Sequence, residues 1–358
     1  IRRQRQMCIR DREKSMAIKI DLRVPPCKPL PEITDFVSKC EDAGFDGVGL
    51  LDSQMLERDV FVSMAHALMN TKSINVASAV TNPVTRHPSV LASAASTLAE
   101  VAPGRAKIWI GRGYSSANVV GIPPATVRQM RDAVVTMKSL MDGEELDFGT
   151  ITSRMKHGGG ETTPVYIAAT GPKVMRVAGE VADGAVLMTG IHPDQVAKSR
   201  ELIFDGARAA GRDPDDIETI YTCTTIIRDD LKEAREVARP LAVARLMQPT
   251  YKRWLKAAGM DFSEFELPRG LWDLYPDVPH AEDWEKAKEL CAFLPDDALG
   301  QLCDSMGLIG TPEYCAERIK KAEEAGMEHL YLMTDQSYEF PTGELHAFRD
   351  KIFPALGR

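Results

Sequence analysis

The residues able to do chemistry in this chain sit in short polar turns, each following an apolar run. Asp52-Ser53, Thr81-Asn82-Pro83, Arg112-Gly113-Tyr114, Thr170-Gly171-Pro172-Lys173 and Thr189-Gly190 all have this setting. The most informative is Ala168-Ala169-Thr170-Gly171-Pro172-Lys173, an extended run that turns on glycine and enters a helix through proline. A helix amino end presents N–H groups without intrahelical partners and the positive pole of the dipole. A phosphate there gains several hydrogen bonds without a basic cluster. Proline suits the first turn, because its missing N–H would have no intrahelical partner. The same residues also make a plain strand-to-helix loop with a threonine cap.

Arg112 lies between two glycines, where a long guanidinium can cross to phosphate oxygens with two donors or pair with a loop carboxylate. Asp52 ends an apolar strand and serves as an acceptor for a ligand's N–H or hydroxyl groups, or as the cap of the next turn. Tyr114 and His87 are the candidates for moving protons, with His192 a further one. His87, directly before Pro88, equally reads as a helix cap.

These turns acquire meaning from the elements that carry them. Apolar or β-branched runs at residues 18–24, 47–51, 74–80, 107–110, 165–169, 185–188, 217–227 and 330–333 predict eight strands. Amphipathic stretches at 31–43, 60–69, 90–101, 125–141, 173–181, 193–210 and 312–325 predict intervening helices, with a last helix at 346–353. A glycine-rich excursion at 158–160 predicts a hairpin or loop, and residues 231–305, bearing Trp254, Trp272, Tyr275 and Trp284, predict an insertion of two or three helices that lids a pocket. Strict strand and helix alternation specifies an α/β fold with a parallel sheet. No GxGxxG turn follows the first strand, which ends in Arg23-Val24-Pro25-Pro26-Cys27, so a closed (β/α)8 TIM barrel is expected over an open dinucleotide-binding sheet. The site then belongs at the carboxyl ends of the strands.

Bulk properties narrow the function. A net charge of -8 argues against a nucleic-acid surface. The 7 cysteines include no CxxC pair, which points to reduced thiols, a cytoplasmic protein and no metal site. No run reaches the roughly 18 apolar residues that span a bilayer. Residues 1–15, dense in Arg and Lys, are expected to be disordered or extraneous. Met16 is then the start of one domain covering 16–358.

The residue patterns Phe45 to Asp52, Val80-Thr81-Asn82-Pro83 with Arg86-His87-Pro88, Thr97-Leu98-Ala99-Glu100 through Gly104-Arg105, Ala168 to Lys173 with Ala178 to Gly184, and Gly310-Thr311-Pro312-Glu313 occur here in order. In this combination the chain resembles the luciferase-like monooxygenase superfamily, and most resembles its branch of coenzyme F420-dependent methylenetetrahydromethanopterin reductases. The resemblance implies an isoalloxazine-like ring across the barrel mouth, with Asp52 and Thr81 at ring-contacting positions. It places the coenzyme phosphate at Thr170, Gly171, Lys173 and Val174. It also implies a non-prolyl cis peptide at Ser78-Ala79 or Ala79-Val80, in a segment Ser78 to Asn82 that backs the ring. Ser53 stands where some deazaflavin enzymes carry a catalytic histidine, and Tyr114 where relatives often carry an acid. Arg112-Gly113 resembles the FMN-phosphate clamp of luciferase, so FMN stays open beside coenzyme F420. The implied activity is hydride transfer between coenzyme F420 and a small organic substrate. The alternatives are an FMN-dependent monooxygenase using reduced flavin and O2, or a flavin-binding protein without turnover. A homodimer and a separate reductase supplying reduced coenzyme complete the expectation.

Overall fold

The computed structural model describes residues 17–275, 277–278, 281–335 and 338–358. The expectation for residues 1–15, and the assignment of Met16 as the start, lie outside the described residues. Eleven strands occur among the described residues: β1 (Lys19–Val24), β2 (Gly47–Leu50), β3 (Asn75–Thr81), β4 (Ala106–Ile110), β5 (Glu145–Asp147), β6 (Thr152–Arg154), β7 (Val165–Ala169), β8 (Gly184–Leu187), β9 (Glu218–Ile227), β10 (Gly307–Gly310) and β11 (His329–Thr334). The helices that matter here are α1 (Leu30–Ala43), α2 (Val60–Met69), α3 (Pro88–Val101), α4 (Tyr114–Asn118), α5 (Val127–Met141), α6 (Pro172–Val181), α7 (Pro193–Ala209), α8 (Leu231–Met247), α9 (Pro249–Ala257), α10 (Trp284–Cys291), α11 (Asp296–Met306), α12 (Pro312–Glu324) and α13 (Thr342–Ala347).

Strands β1, β2, β3, β4, β7, β8, β9 and β11 pair in parallel in that order, and β11 pairs back to β1, so the sheet closes into an eight-stranded barrel. Strand residues facing the helices, such as Ile20, Leu22, Val48 and Ile108, are fully buried, which is why these strands read as continuous apolar runs. Closure removes both sheet edges.

The inward residues form layers. At the amino end His329 sits 3.1 Å from both Asp21 and Glu218, while Tyr166 donates to Glu218 at 2.6 Å. This charged floor lies opposite the face where barrels do chemistry, and its role is to plug the barrel. Above it pack Ala77, Trp109, Val186, Ile220 and Tyr331. Glycine in β2 makes this possible: a Cβ on Gly49 would lie 2.7 Å from the Tyr331 ring.

Two features depart from the sequence reading. Strand β10 is a ninth parallel strand, pairing with Thr224 to Ile227 of β9. Because β8 ends its pairing at Tyr221 and β11 holds the other edge, β10 continues along the edge that β8 vacates. Among the described residues the insertion between β9 and β10 holds four α-helices, α8 to α11, with a second apolar core of its own around Ala238, Leu271, Leu294 and Leu302. Before β7 the chain forms the β5–β6 hairpin, closed through Glu145 and Arg154, and the glycines at 158–160 lie in the loop that follows it. Among the described residues no helix is long and apolar enough to cross a membrane.

Candidate active site

The carboxyl mouth collects the turns singled out above, though not all of their side chains. At the end of β7, Gly171 is the N-cap of α6 with extended backbone (φ -103, ψ 152) and no side chain caps the helix. A Cβ added at Gly171 would meet nothing within 4 Å, so open space faces the uncapped N–H groups of Lys173 and Val174. Lys173 itself is exposed and Val174 is buried. The Thr170 carbonyl accepts from Trp254 Nε1 at 2.8 Å, which ties this turn to the insertion.

Strand β3 ends in a peptide between Ala79 and Val80 that is cis, at one of the two positions the resemblance implies. The β3–β4 register shifts between Ala79 and Thr81. Ser78 is buried and pinned, its hydroxyl donating to the Trp109 carbonyl at 3.1 Å. Asn82 Oδ1 accepts from the Val84 and Thr85 amides at 3.0 and 2.8 Å, which leaves the buried Nδ2 without a partner. The β4 turn closes over this tip. Cβ atoms on Gly111 and Gly113 would lie 2.6 Å from Val80 and 2.7 Å from Asn82, and Gly113 has φ 78.

Asp52, its side chain 1% exposed, binds Arg86 at 2.5 Å, and Arg86 reaches on to Asp59 at 2.9 Å. Burial pushes the Asp52 carboxyl up, against the pull of Arg86. Thr81 Oγ1 is buried beside that carboxylate and makes no hydrogen bond of good geometry. The Asp52 carboxylate thus pairs with an arginine of the turn after β3, a contact that neither sequence reading of Asp52 included.

Arg112, His87 and Tyr114 are placed elsewhere. Arg112 is exposed and donates through Nε to the Ala125 carbonyl at 2.5 Å, so its side chain runs along the flank leading to α5 and does not span the mouth. Arg112 makes no ion pair with a loop carboxylate among the described residues. His87 is exposed and caps α3, its Nδ1 accepting from the Ser89 amide at 3.2 Å. His192 caps α7 in the same way, accepting from the Asp194 amide at 3.3 Å. Tyr114 is 76% exposed at the start of the short α4.

Three mouth residues escaped the sequence reading. Arg23 faces inward at the end of β1 and donates to the Thr334 carbonyl at 3.1 Å. Glu57, in the turn after β2, has a buried Oε2 with no hydrogen-bond partner. Burial pushes its carboxyl up to about 7, with Arg23 and Arg58 opposing. Arg245 reaches in from α8, its Nη2 3.4 Å from Thr224 Oγ1. No local signal marks any of them, because each is an ordinary charged residue in a polar stretch.

A closed (β/α)8 barrel with an uncapped helix terminus at its carboxyl mouth presents free N–H donors on the face where such barrels carry their sites. The chain belongs to the luciferase-like monooxygenase family, whose model matches residues 12–329. It is 29% identical to a 5,10-methylenetetrahydromethanopterin reductase of Methanolobus tindarius over 85% of this chain and 90% of that protein. It is 28% identical to an F420-dependent glucose-6-phosphate dehydrogenase of Microbacterium testaceum, over 59% of this chain and 70% of that one. The solved coenzyme F420-dependent tetrahydromethanopterin reductase of Methanopyrus kandleri superposes with a TM-score of 0.75 at 20% identity, over 95% of this chain and 100% of that one.

Proposed function

We propose that this chain is an oxidoreductase that moves hydride between coenzyme F420 and a small organic substrate at the barrel's carboxyl mouth. The observation that carries the reading is the open, uncapped amino end of α6, set in the same mouth as the buried Thr81 hydroxyl and the unpartnered Asn82 amide. Coenzyme F420, when bound, supplies the two-electron carrier, and the protein supplies position and a dry pocket. The donor set fits that group. The Lys173 and Val174 amides would hold its phosphate, Ala79 and Val80 would back its ring, and Thr81 with Asn82 Nδ2 would offer hydrogen bonds at the ring edge. Names of similar proteins support the coenzyme and leave the substrate open. Titration of the purified protein should show saturable binding of coenzyme F420, with FMN markedly weaker. Tighter FMN binding with oxygen uptake from reduced flavin would instead establish the monooxygenase reading.

Glu57 is the group we assign to proton transfer. Its poised, unpartnered carboxyl stands in the β2 turn, near Arg23 at the mouth, whereas the sequence candidates His87 and Tyr114 face solvent. General acid–base groups work best near the operating pH and are worth about 10²–10⁴-fold. With the first substrate that a panel of small alcohols and carbonyl compounds reveals, Glu57→Gln should cut turnover by about 10²-fold or more. It should also erase the pH-profile limb near 7 while coenzyme affinity holds. An unchanged profile would clear Glu57 of the role.

The outer surface supports a homodimer. Helix α2, VFVSMAHALM, carries no Asp, Glu, Lys or Arg, yet Met69 is 73% and Val62 55% exposed, and Val90 of the neighbouring α3 is 54% exposed. A helix apolar on all sides is normally covered. Val62→Glu with Met69→Lys should convert a sedimenting dimer to monomer with the circular dichroism unchanged. Wild type sedimenting as a monomer would remove the idea.

A further inference from the structure

Arg245 projects from α8 into the mouth without a carboxylate partner among the described residues. Arg86, Arg228, Arg235 and Arg239 each have one. Its contacts are a long bond to Thr224 Oγ1 at 3.4 Å and the Tyr251 ring, whose centroid lies 4.0 Å from the guanidinium carbon. Thr224 shares the inward side of β9 with Ile220 and pairs in register with Met333, which packs against the barrel interior. In the closed ring β9 lies four strands from β3, so Arg245 faces the Ala79-Val80 segment from across the mouth. The crevice it borders with Thr189, Gly190, Tyr251, Trp254 and Met306 has a free volume of about 10 Å³, room for one water, so an anion must meet Arg245 from the mouth itself.

A partly buried guanidinium without a counter-ion is a costly arrangement unless a ligand completes it. The planar fork, held flat by an aromatic face, is preorganised for two parallel bonds to a carboxylate or phosphate. The coenzyme phosphate has its own donors at α6, and Arg245 reaches the opposite wall from the segment that backs the ring.

We infer that Arg245 selects substrates carrying an anionic group, carboxylate or phosphate, by pairing with that group at the barrel mouth. The inference rests on the proposed function only for the side of the mouth that the coenzyme takes. The test uses calorimetric titration of the full chain with acetate, inorganic phosphate and neutral glycerol, with and without coenzyme F420, on wild type, Arg245→Met and Arg245→Lys. Wild type should bind at least one anion and not glycerol, and the stronger of acetate and phosphate names the group. Arg245→Met should weaken that binding about tenfold or more, a loss of about 1.4 kcal/mol. Arg245→Lys should recover part of it, and coenzyme affinity should stay within about twofold for both variants. Equal anion binding by wild type and Arg245→Met overturns the inference. So does a loss of coenzyme affinity with anion binding intact, which would give Arg245 to the coenzyme. Failure of wild type to bind coenzyme F420 sinks the proposed function instead, and the titrations without coenzyme still decide on Arg245.

Discussion

Gly171→Asp is expected to lower coenzyme F420 affinity by about 100-fold or more, close to 2.7 kcal/mol, while the barrel becomes no less stable. Gly171 already has the extended N-cap conformation that Asp favours, and its missing Cβ points into open space. The new carboxylate would accept from the amides of Lys173 and Val174, the donors assigned to the phosphate, and would place negative charge where the phosphate must sit. The same carboxylate caps the helix and complements its dipole, worth about 0.3–1 kcal/mol in the stabilising direction. A general folding defect cannot mimic this opposition of signs. Thermal melting and coenzyme titration check it, and a variant that binds coenzyme within threefold of wild type would place the phosphate elsewhere.

The second large effect concerns Asp52. Removing one partner of a buried pair leaves the other uncompensated, at about 3–5 kcal/mol, whereas removing both is far milder. Asp52→Ala strands Arg86, which is 15% exposed and whose remaining carboxylate partner, Asp59, lies at the surface. We expect a loss of about 3 kcal/mol in chemical denaturation, with much of it regained in Asp52→Ala/Arg86→Met. Arg86→Met alone should behave differently. Burial already pushes the Asp52 carboxyl up, and without Arg86 only the Thr81 hydroxyl is left to oppose it. A carboxyl with a raised folded pKa stabilises fully below its unfolded value and loses that contribution as pH rises through the folded value. The Arg86→Met variant should thus be least impaired in acid and increasingly impaired toward neutrality. Additive single-variant losses, with no coupling in the double variant, would mean that the pair contributes nothing.

The strands were legible because each is an apolar run buried on both faces and bounded by Gly, Pro or polar turns. β7 occupies the expected residues, and the other barrel strands differ by one residue at one or both ends. The α6 turn was equally legible, since glycine before proline at a strand end is a local signal that needs no distant partner. β10 was not. Four residues, Gly307–Gly310, carry too little periodicity to announce a strand, and they become one only because β8 leaves the upper edge of β9 unpaired. Nor was the bond from Arg112 Nε to the Ala125 carbonyl, thirteen residues on, written in local pattern.

By itself the amino-acid sequence determined the alternation of elements, the closed parallel barrel, the end of it that bears the turns and the helix terminus suited to an anion. All of these follow from side-chain periodicity and backbone conformation within a few neighbours. Tertiary structure alone decided that Arg86 claims Asp52, that Glu57 is left poised beside Arg23, that His87 and Tyr114 turn to solvent and that Arg245 enters from the insertion. Those outcomes depend on which charges come within reach once the barrel closes, and distances between residues far apart in the chain are not written in local pattern.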